Sequence, residues 1–464
     1  MGLMGALDAG TIPAGLHAGV ERQLGVADCC HQNGQTQMAA VHLGKALRLL
    51  FHPALQGGTG GEKPWFLSPK EHLAAFHHSQ LLSDLRAADA RAAHALPRRP
   101  LPTPTRVGII GRRHWAFVDS LQDELAAQPG LDIRRIDLDD ILAPNELPDL
   151  FTLTRLAAEQ AHGAPRPSLP AALAHAIDDC DVLWVEWGHL PAAWLSRHDL
   201  GDRALVVRLH RYEALAPYLQ LLDMERVDRM VFIAPHVRTL VASLLDRPQL
   251  LQADVIANRL NAEIPDDVQG DRDSSVLQVQ WAPAVKDVEW VLDVFEHARQ
   301  QVPDLRLVLA GKPIPDDDPR AERIRARLDA LGEAVLMPGF VSDMGALYRQ
   351  CSMIVSGSLQ EGSQESIDEA ALHGCIPVVR DWPHVAAPGP RGLFPEQWVV
   401  GSQDAAVQRI VEIERDLSEQ ECQSLREDTA RSTRQRRDPH TVVDALAHLL
   451  RTANSRETSE GDAP

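Results

Sequence analysis

The stretch EGSQESIDEAALHGCIPVV, residues 361–379, decides how this chain is read. Glu361 and Glu369 stand in it with seven residues between them. On one continuous helix, eight steps of about 100° would leave the two side chains about 80° apart, so they would not form a carboxylate pair on one stripe. A bend between them is required. Gly362 tolerates unusual backbone angles and Ser363 favours turns and helix caps, so GSQ supplies it. The pattern predicts a turn, a helix that begins near Glu365 or Ser366 and ends at Gly374, and then the buried strand IPVV.

Outward from this stretch the same texture repeats. SVLQV, LRLVLAG, AVLMPG and SMIVSGS precede it as short β-rich runs separated by helical patterns, and RVGII, DIRRIDL, DVLWVEW, ALVVRLH and RMVFIA form an earlier series from Thr105. Strands alternating with helices predict a mostly parallel sheet with helices on both faces. Two such domains in tandem are expected to form a cleft at the carboxyl ends of their strands, where open α/β sheets hold ligands. The polar stretch EIPDDVQGDRDSS reads as the linker between them. Residues 1–104 read as a helical extension with a Pro-rich linker: QMAAVHLGKALRLLFH is one helical pattern, and SPKEHLAAFHHSQLLSDLRAA is another, opened by a Ser cap with Pro at its first position. QGGTGGEKP reads as a flexible loop, and LPRRPLPTPT as an extended connection. The expected division is therefore 1–104 extension, 105–264 first Rossmann-like domain, 265–451 second Rossmann-like domain with a closing helix, and 452–464 a polar, disordered tail.

Composition narrows the partners. With 464 residues and 44% hydrophobic content the chain can bury real cores. Its formal charge of −19 would repel a polyphosphate backbone, so nucleic acid is not expected as a partner. Apolar runs such as MVFIA fall far short of the roughly 18 residues of a spanning helix, so no integral membrane segment is expected. The first residues, MGLMGALDAGTIPAGLHAG, lack the basic and apolar regions of a signal peptide, and the six scattered cysteines fit a reducing compartment; the expected location is the cytoplasm. Cys29, Cys30 and His31 have no second ligand pair at zinc-finger spacing, and Asp316–Asp318 reads as a solvated loop or cap, so no metal is expected.

The ordered signals from Val276 to Arg380 resemble the donor-binding half of retaining glycosyltransferases with the GT-B fold, specifically the glycosyl transferases group 1 that include sucrose and mannosyl transferases. The E-x7-E pair, framed by a strand ending at SGS and by GCIPVV, is the most specific part, and DVIANRLN around Asn258 resembles the strand-to-linker signature. The resemblance implies an α/β GT-B protein, two Rossmann-like domains facing a cleft, here with an N-terminal helical extension. It implies transfer of a hexosyl unit from a nucleoside diphosphate sugar, as co-substrate, to an acceptor hydroxyl with retention, and neither cofactor nor metal. By resemblance Lys286 binds the diphosphate, Glu369 accepts from the ribose hydroxyls, and Glu361 with Gly362, Ser363 and Gln364 holds the sugar and diphosphate. The helix after the turn would add its positive N-terminal end. Two readings of Glu369 stay open, because Ser366-Ile-Asp-Glu369 also fits a capping box. The sequence departs from the family where it carries Gln280 and Trp281 instead of Gly-Arg, which removes one cation; Lys312, Arg208 or Arg211 would have to compensate.

In the first α/β domain His210 stands at a strand's carboxyl tip, and the resemblance implies that it contacts the transferred sugar. The alternative is a strand-end histidine satisfied by a backbone carbonyl, with Arg208 and Glu213 forming an ion pair. Glu186 and His189 follow another strand tip and are placed on the acceptor side, with Arg112 and Arg113 either meeting an anionic acceptor or solvating the rim. The acceptor itself stays open among glycan, small molecule and protein, and the N-terminal extension is a candidate protein contact. Two other functions remain: an inactive GT-B-like scaffold, which the absent Gly-Arg favours, and a sugar-nucleotide epimerase, which the acidic turn argues against.

Overall fold

A computed structural model describes residues 2–56, 64–93, 100–112, 115–261, 265, 267–268, 272–385 and 387–454. The chain divides into two compact units, Met1–Ala257 together with Val442–Pro464, and Asn258–Thr441.

The first unit is built on a parallel six-stranded sheet: β1 (Thr105–Gly111), β2 (Leu131–Asp137), β3 (Val182–Glu186), β4 (Ala204–Leu209), β5 (Arg229–Phe232) and β6 (Asp254–Val255), in the order β2-β1-β3-β4-β5-β6. All residues of β3 and β4 are buried, as expected of central strands covered by helices on both faces. The N-terminal helices belong to this unit. Helices Leu16–Gln32 and Thr36–Leu50 pair with one another, and Thr36–Leu50 and Gln80–Ala93 both pack on the helix Leu150–Ala161. A buried ion pair ties them further: Arg197, 1% exposed, donates from Nη1 and Nη2 to Asp89 at 2.6 and 2.9 Å.

One expected helix is interrupted. The run from Ser68 forms three segments, Pro69–His72, Ala74–His77 and Gln80–Ala93. Asp28 explains the last break, because its Oδ1 accepts both the Ser79 hydroxyl at 2.7 Å and the Leu81 backbone N–H at 3.0 Å, so a residue from another helix supplies the cap.

The second unit also carries a parallel six-stranded sheet: β7 (Asp273–Val279), β8 (Arg306–Ala310), β9 (Val335–Gly339), β10 (Cys351–Ser356), β11 (Ile376–Arg380) and β12 (Val399–Val400), in the order β12-β11-β10-β7-β8-β9. The chain therefore starts in the middle at β7, builds outward to β9, and returns to β10 on the other side. In the first sheet the reversal falls between β1 and β3. Open parallel sheets bind ligands at the carboxyl ends of the strands that flank such a reversal, because adjacent loops leave the sheet towards opposite faces and part there.

The closing helix differs from expectation. Pro439–Arg451 packs in the first unit: Val442, Val443, Leu446, Ala447, Leu449 and Leu450 share a core with Val107 and Ile109 of β1. Its apolar residues recur at helical spacing, but that periodicity shows only that a face is buried, not which sheet buries it. The expected linker, loop and tail fall partly outside the described residues, at 262–264, 266, 269–271, 57–63 and 455–464.

Leu446 is 1% exposed, so Leu446→Ala should cost the first unit about 2–5 kcal/mol. Urea unfolding followed by hydrogen exchange should locate that loss among β1 and its neighbours and leave β7–β11 protected as in the wild type.

Candidate functional site

At the reversal of the second sheet, two loops leave neighbouring strands. The one after β7 carries Lys286; the one after β10 carries the acidic turn. They are laced together by the backbone, with Leu359 N–H donating to Val285 O at 2.8 Å. Gly357 permits this approach, since a Cβ there would lie 2.8 Å from Asp287 O. Lys286 Nζ then reaches Glu361 Oε1 at 2.7 Å, and the Ser358 hydroxyl donates to the same oxygen at 2.7 Å.

The bend expected from GSQ is realised at Gln364. Its φ of 52° is left-handed, and its side-chain Nε2 donates back to Ser356 Oγ at 2.7 Å. That conformation disfavours non-glycine residues by about 1–2 kcal/mol, so the side-chain bond holds a turn that the backbone alone would not choose. The helix Glu365–Leu372 follows directly and has no side-chain N-cap bond. Its first turn nevertheless carries Glu365 and Asp368, which already place negative charge at the positive end of the helix dipole.

Glu365 was not singled out by its sequence context, yet it is held as firmly as Glu361. Asn258 Nδ2 donates to its Oε1 at 2.7 Å and the Ser363 hydroxyl bonds the same atom. Burial alone would raise this carboxyl, but those hydrogen bonds outweigh it and leave the pKa below the usual value. Glu369 behaves in the opposite way. It accepts the Tyr348 hydroxyl at 3.2 Å, and burial, reinforced by Glu365 and Asp368, pushes its pKa up. The capping-box reading of Glu369 is thereby corrected: the helix starts two residues earlier than that box needs, at Glu365 rather than Ile367, and Gln364 is the N-cap residue.

The expected gap in cations is visible. Gln280 has φ 54° with its N–H on Ala310 O, and Trp281 is buried in the sheet core, 3% exposed. Lys312 is exposed beyond β8. Arg380, at the end of β11, pairs with Asp287 at 2.7 Å and also donates to Gly357 O. Asp318, from the acidic loop before the helix Ala321–Leu331, pairs with Arg320 at 2.7 Å.

The first sheet builds a second constellation at its own reversal. Glu186 and Arg208 are register partners on β3 and β4, and Arg208 Nη1 meets Glu186 Oε1 at 2.7 Å. His210, one residue beyond β4, meets the same oxygen through Nε2 at 2.8 Å, which places the proton on Nε2. The alternative Arg208–Glu213 pair is replaced by this arrangement; Glu213 Oε1 instead accepts the His210 backbone N–H at 3.4 Å. Burial would raise Glu186, but the Arg208 guanidinium and the His210 hydrogen bond hold it below the usual carboxylate range. At Glu213 burial outweighs the lowering influence of His210 and pushes the carboxyl up to about 6.

Trp187 adopts φ 67° and lays its indole on His210, ring centres 4.2 Å apart and 21° from parallel. A cavity of ≈ 570 Å³ opens above, walled by Arg112, Glu186, Trp187, His189, Glu213 and Tyr218 among others. Arg112, Glu186 and His189, expected on one side of a site, are thus brought together, while Arg113 lies outside the described residues. Arg112 also pairs with Asp139 at 2.6 Å.

Residues 276–416 match the family model for glycosyl transferases group 1. The structure of Anabaena Alr3699/HepE in complex with UDP superposes with a TM-score of 0.54 at 16% identity, over 75% of this chain and 99% of that one. The lipopolysaccharide outer core galactosyltransferase WaaB in its apo form gives 0.50 at 12% identity, over 74% and 99%. This chain has the GT-B fold. TarM gives 0.47 at 11% identity over 60% of this chain, which spans 58% of TarM's length. No curated protein matches the chain.

Four of the five non-glycine residues with positive φ in this GT-B chain, among those described, are Trp187, Gln280, Asp287 and Gln364, and all four lie in loops at the two reversals. Backbone in sparsely populated regions persists where surrounding contacts over-determine it, and it gathers at ligand sites. Tyr348, Tyr212 and Tyr218 were not found from sequence; only the spatial neighbourhood of Glu369 and of the β3 tip reveals them.

The raised pKa of Glu213 makes a stability prediction. A carboxyl at about 6 in the native state against an ordinary 4.5 contributes stability that is fully present below about pH 4.5 and lost as pH rises through about 6. The loss is about 2 kcal/mol for such a shift. Urea unfolding should therefore show Glu213→Gln gaining on the wild type by about that amount between pH 4 and pH 7.5.

Proposed function

We propose that this chain is a glycosyltransferase that moves a hexosyl unit from a nucleoside diphosphate sugar to an acceptor hydroxyl, with retention at the anomeric carbon. The observation that carries the reading is the pairing of Lys286 with Glu361 across the reversal of the second sheet, directly before an N-terminus with no side-chain cap. Those are the groups that a sugar diphosphate requires: a cation and backbone amides for phosphate oxygens, and acceptors for hydroxyls. Glu369 is assigned to the ribose and Glu361 to the transferred sugar, with Gly362, Ser363 and Gln364 lining the turn. Because UDP is named in the Anabaena complex, a uridine nucleotide is the first donor to test.

In this reading His210 positions the sugar through its bond to Glu186. The leaving diphosphate takes the acceptor's proton, so no separate side-chain nucleophile is required and the rate comes from alignment and from stabilising the departing charge. We extend the reading to metal independence, for which the test is an unchanged rate in EDTA. The six cysteines are free thiols, matching the reducing compartment in which we place the protein. No described helix is long and apolar enough to cross a membrane.

A catalytically silent scaffold is the second reading, and one observation favours it: Trp281 fills core space where the resemblance calls for a diphosphate-binding cation. The two separate on donor binding. UDP, GDP and ADP should be screened by thermal shift, followed by assays for slow hydrolysis of the matching nucleotide sugar. Under the transferase reading one nucleotide raises the melting temperature, and Lys286→Met weakens it by roughly tenfold to a hundredfold, the loss of a charge-assisted bond. Glu369→Gln weakens it as well, whereas His210→Ala lowers turnover with nucleotide binding retained. No stabilisation by any nucleotide and no hydrolysis would leave the scaffold reading.

A further inference from the structure

Trp281 lies in the core of the second unit, where the resemblance calls for a diphosphate-binding arginine, so a replacement has to reach the same reversal from another strand. The sheet order β11-β10-β7-β8 sorts the candidates, because the reversal falls between β10 and β7. Lys312 and Arg320 both follow β8, on the far side of β7. Lys312 is exposed there, and Arg320 is spent on Asp318 and on the Ala282 carbonyl, each at 2.7 Å. Arg208 and Arg211 belong to the first unit, where Arg208 pairs with Glu186. Arg380 ends β11, and its side chain crosses the end of β10 to reach the loop after β7.

Three contacts fix that guanidinium. Nη1 donates to Asp287 Oδ2 at 2.7 Å and to the Gly357 carbonyl at 3.1 Å, and the group lies over the Trp290 ring, 5.2 Å from its centre. Both anchors border the acidic turn's own contacts: Asp287 follows Lys286 in the chain, Gly357 precedes Ser358, and Lys286 and Ser358 meet at Glu361. The N–H groups of Nη1 are used up in this way. Those of Nε and Nη2, on the other edge, bond nothing among the described residues, and the side chain is 21% exposed. That edge carries two nearly parallel N–H vectors, the fork that matches two oxygens of one phosphate. Asp287, the neighbouring anion, is matched on both oxygens, by Arg380 and by the Trp290 N–H at 3.4 Å that opens the helix Val288–Arg299.

We propose that Arg380 is a diphosphate-binding residue of this chain, presenting its Nε and Nη2 edge to one phosphate from the end of β11 and so standing in for the arginine whose position Trp281 occupies. The inference rests on the transferase reading for the identity of the ligand. Arg380 keeps Asp287 and Gly357 on one edge while the other binds, so its fork is oriented before the ligand arrives and no bond has to break first. Lysine at this position would keep the charge but not the fork.

UDP, GDP and ADP, each beside its nucleoside, are titrated calorimetrically into the full chain. For the diphosphate that binds, Arg380→Met should weaken affinity roughly tenfold to a hundredfold and leave affinity for the matching nucleoside as it is, because the nucleoside carries no phosphate. Arg380→Lys should fall between Met and the wild type. Asp287→Asn separates binding from bracing: asparagine tolerates the left-handed backbone at φ 42° and still accepts from Arg380, but it removes the charge that Arg380 matches, so diphosphate affinity should hold or rise. A loss in Asp287→Asn equal to that in Arg380→Met overturns the proposal, since Arg380 would then act only by bracing the Lys286 loop. Equal losses for diphosphate and nucleoside overturn it too, as the mark of a distorted fold. Wild-type affinity in Arg380→Met, with Lys286→Met weakened, removes Arg380 and leaves the transferase reading standing. If none of the three diphosphates binds the wild type, that reading falls and this inference with it.

Discussion

The acidic turn of the second unit depends on a carboxylate that never touches it. Asp368, fully buried in the first turn of the helix Glu365–Leu372, is gripped by Arg436 and Arg437 from the end of the helix Glu419–Arg436 and the residue after it, with Arg437 Nη1 at 3.1 Å. Arg437 also donates to the Asn258 carbonyl at 2.7 Å, and the Asn258 side chain holds Glu365. A single buried charge thus fixes the helix to its neighbour and to the entry of the unit. Breaking such a pair on one side typically costs about 3–5 kcal/mol, because the remaining charge stays buried without compensation. The left-handed turn at Gln364 is tolerable for the same reason: both of its ends are anchored, one on Ser356 and the other on this clamp.

Both constellations follow from one topological rule, yet they differ in how complete they are. Glu361 and Glu365 each accept from described side chains, lysine and serine for the one and asparagine and serine for the other, although Gln364 Oε1 in the same turn is buried without a partner among the described residues. Glu186 and Glu213 each retain a carboxylate oxygen that is unpartnered among the described residues. Mutual satisfaction makes a site rigid without a ligand, whereas a deficit of donors leaves it asking for one.

Much of the architecture was legible because parallel strands buried on both faces read as apolar runs, and the runs at β1, β3, β4, β8, β10 and β11 are of that kind. The turn at Gly362–Gln364 was legible from residues that tolerate bends. Glu186 with Arg208 was not, because their contact is set by the register of β3 against β4, which no local pattern encodes. The helix Pro439–Arg451 was legible as amphipathic but not as a part of the first unit, since its apolar stripe is equally suited to either sheet. Likewise Asp28 carries no signal that it caps a helix starting fifty residues further on, and Tyr348 none that it faces Glu369; both are facts of packing.

The altered Gly-Arg position has a physical consequence for the second site. With Trp281 committed to the core, Lys286 is the cation at the reversal nearest the turn, and its charge is already matched by Glu361, each side chain only 14% exposed. Under the proposed transferase reading an incoming diphosphate would not meet a bare ammonium there; it would exchange one anionic partner for another, and its gain would be the difference between two charge-assisted bonds in the same half-buried setting. In that reading Glu361, released from Lys286, would keep the Ser358 hydroxyl and accept from the sugar hydroxyls as well. On the same reading the two halves of a donor are coupled: the diphosphate would free the acid that receives the sugar, so the complete nucleotide sugar should gain more over the bare nucleotide than its added contacts alone would give.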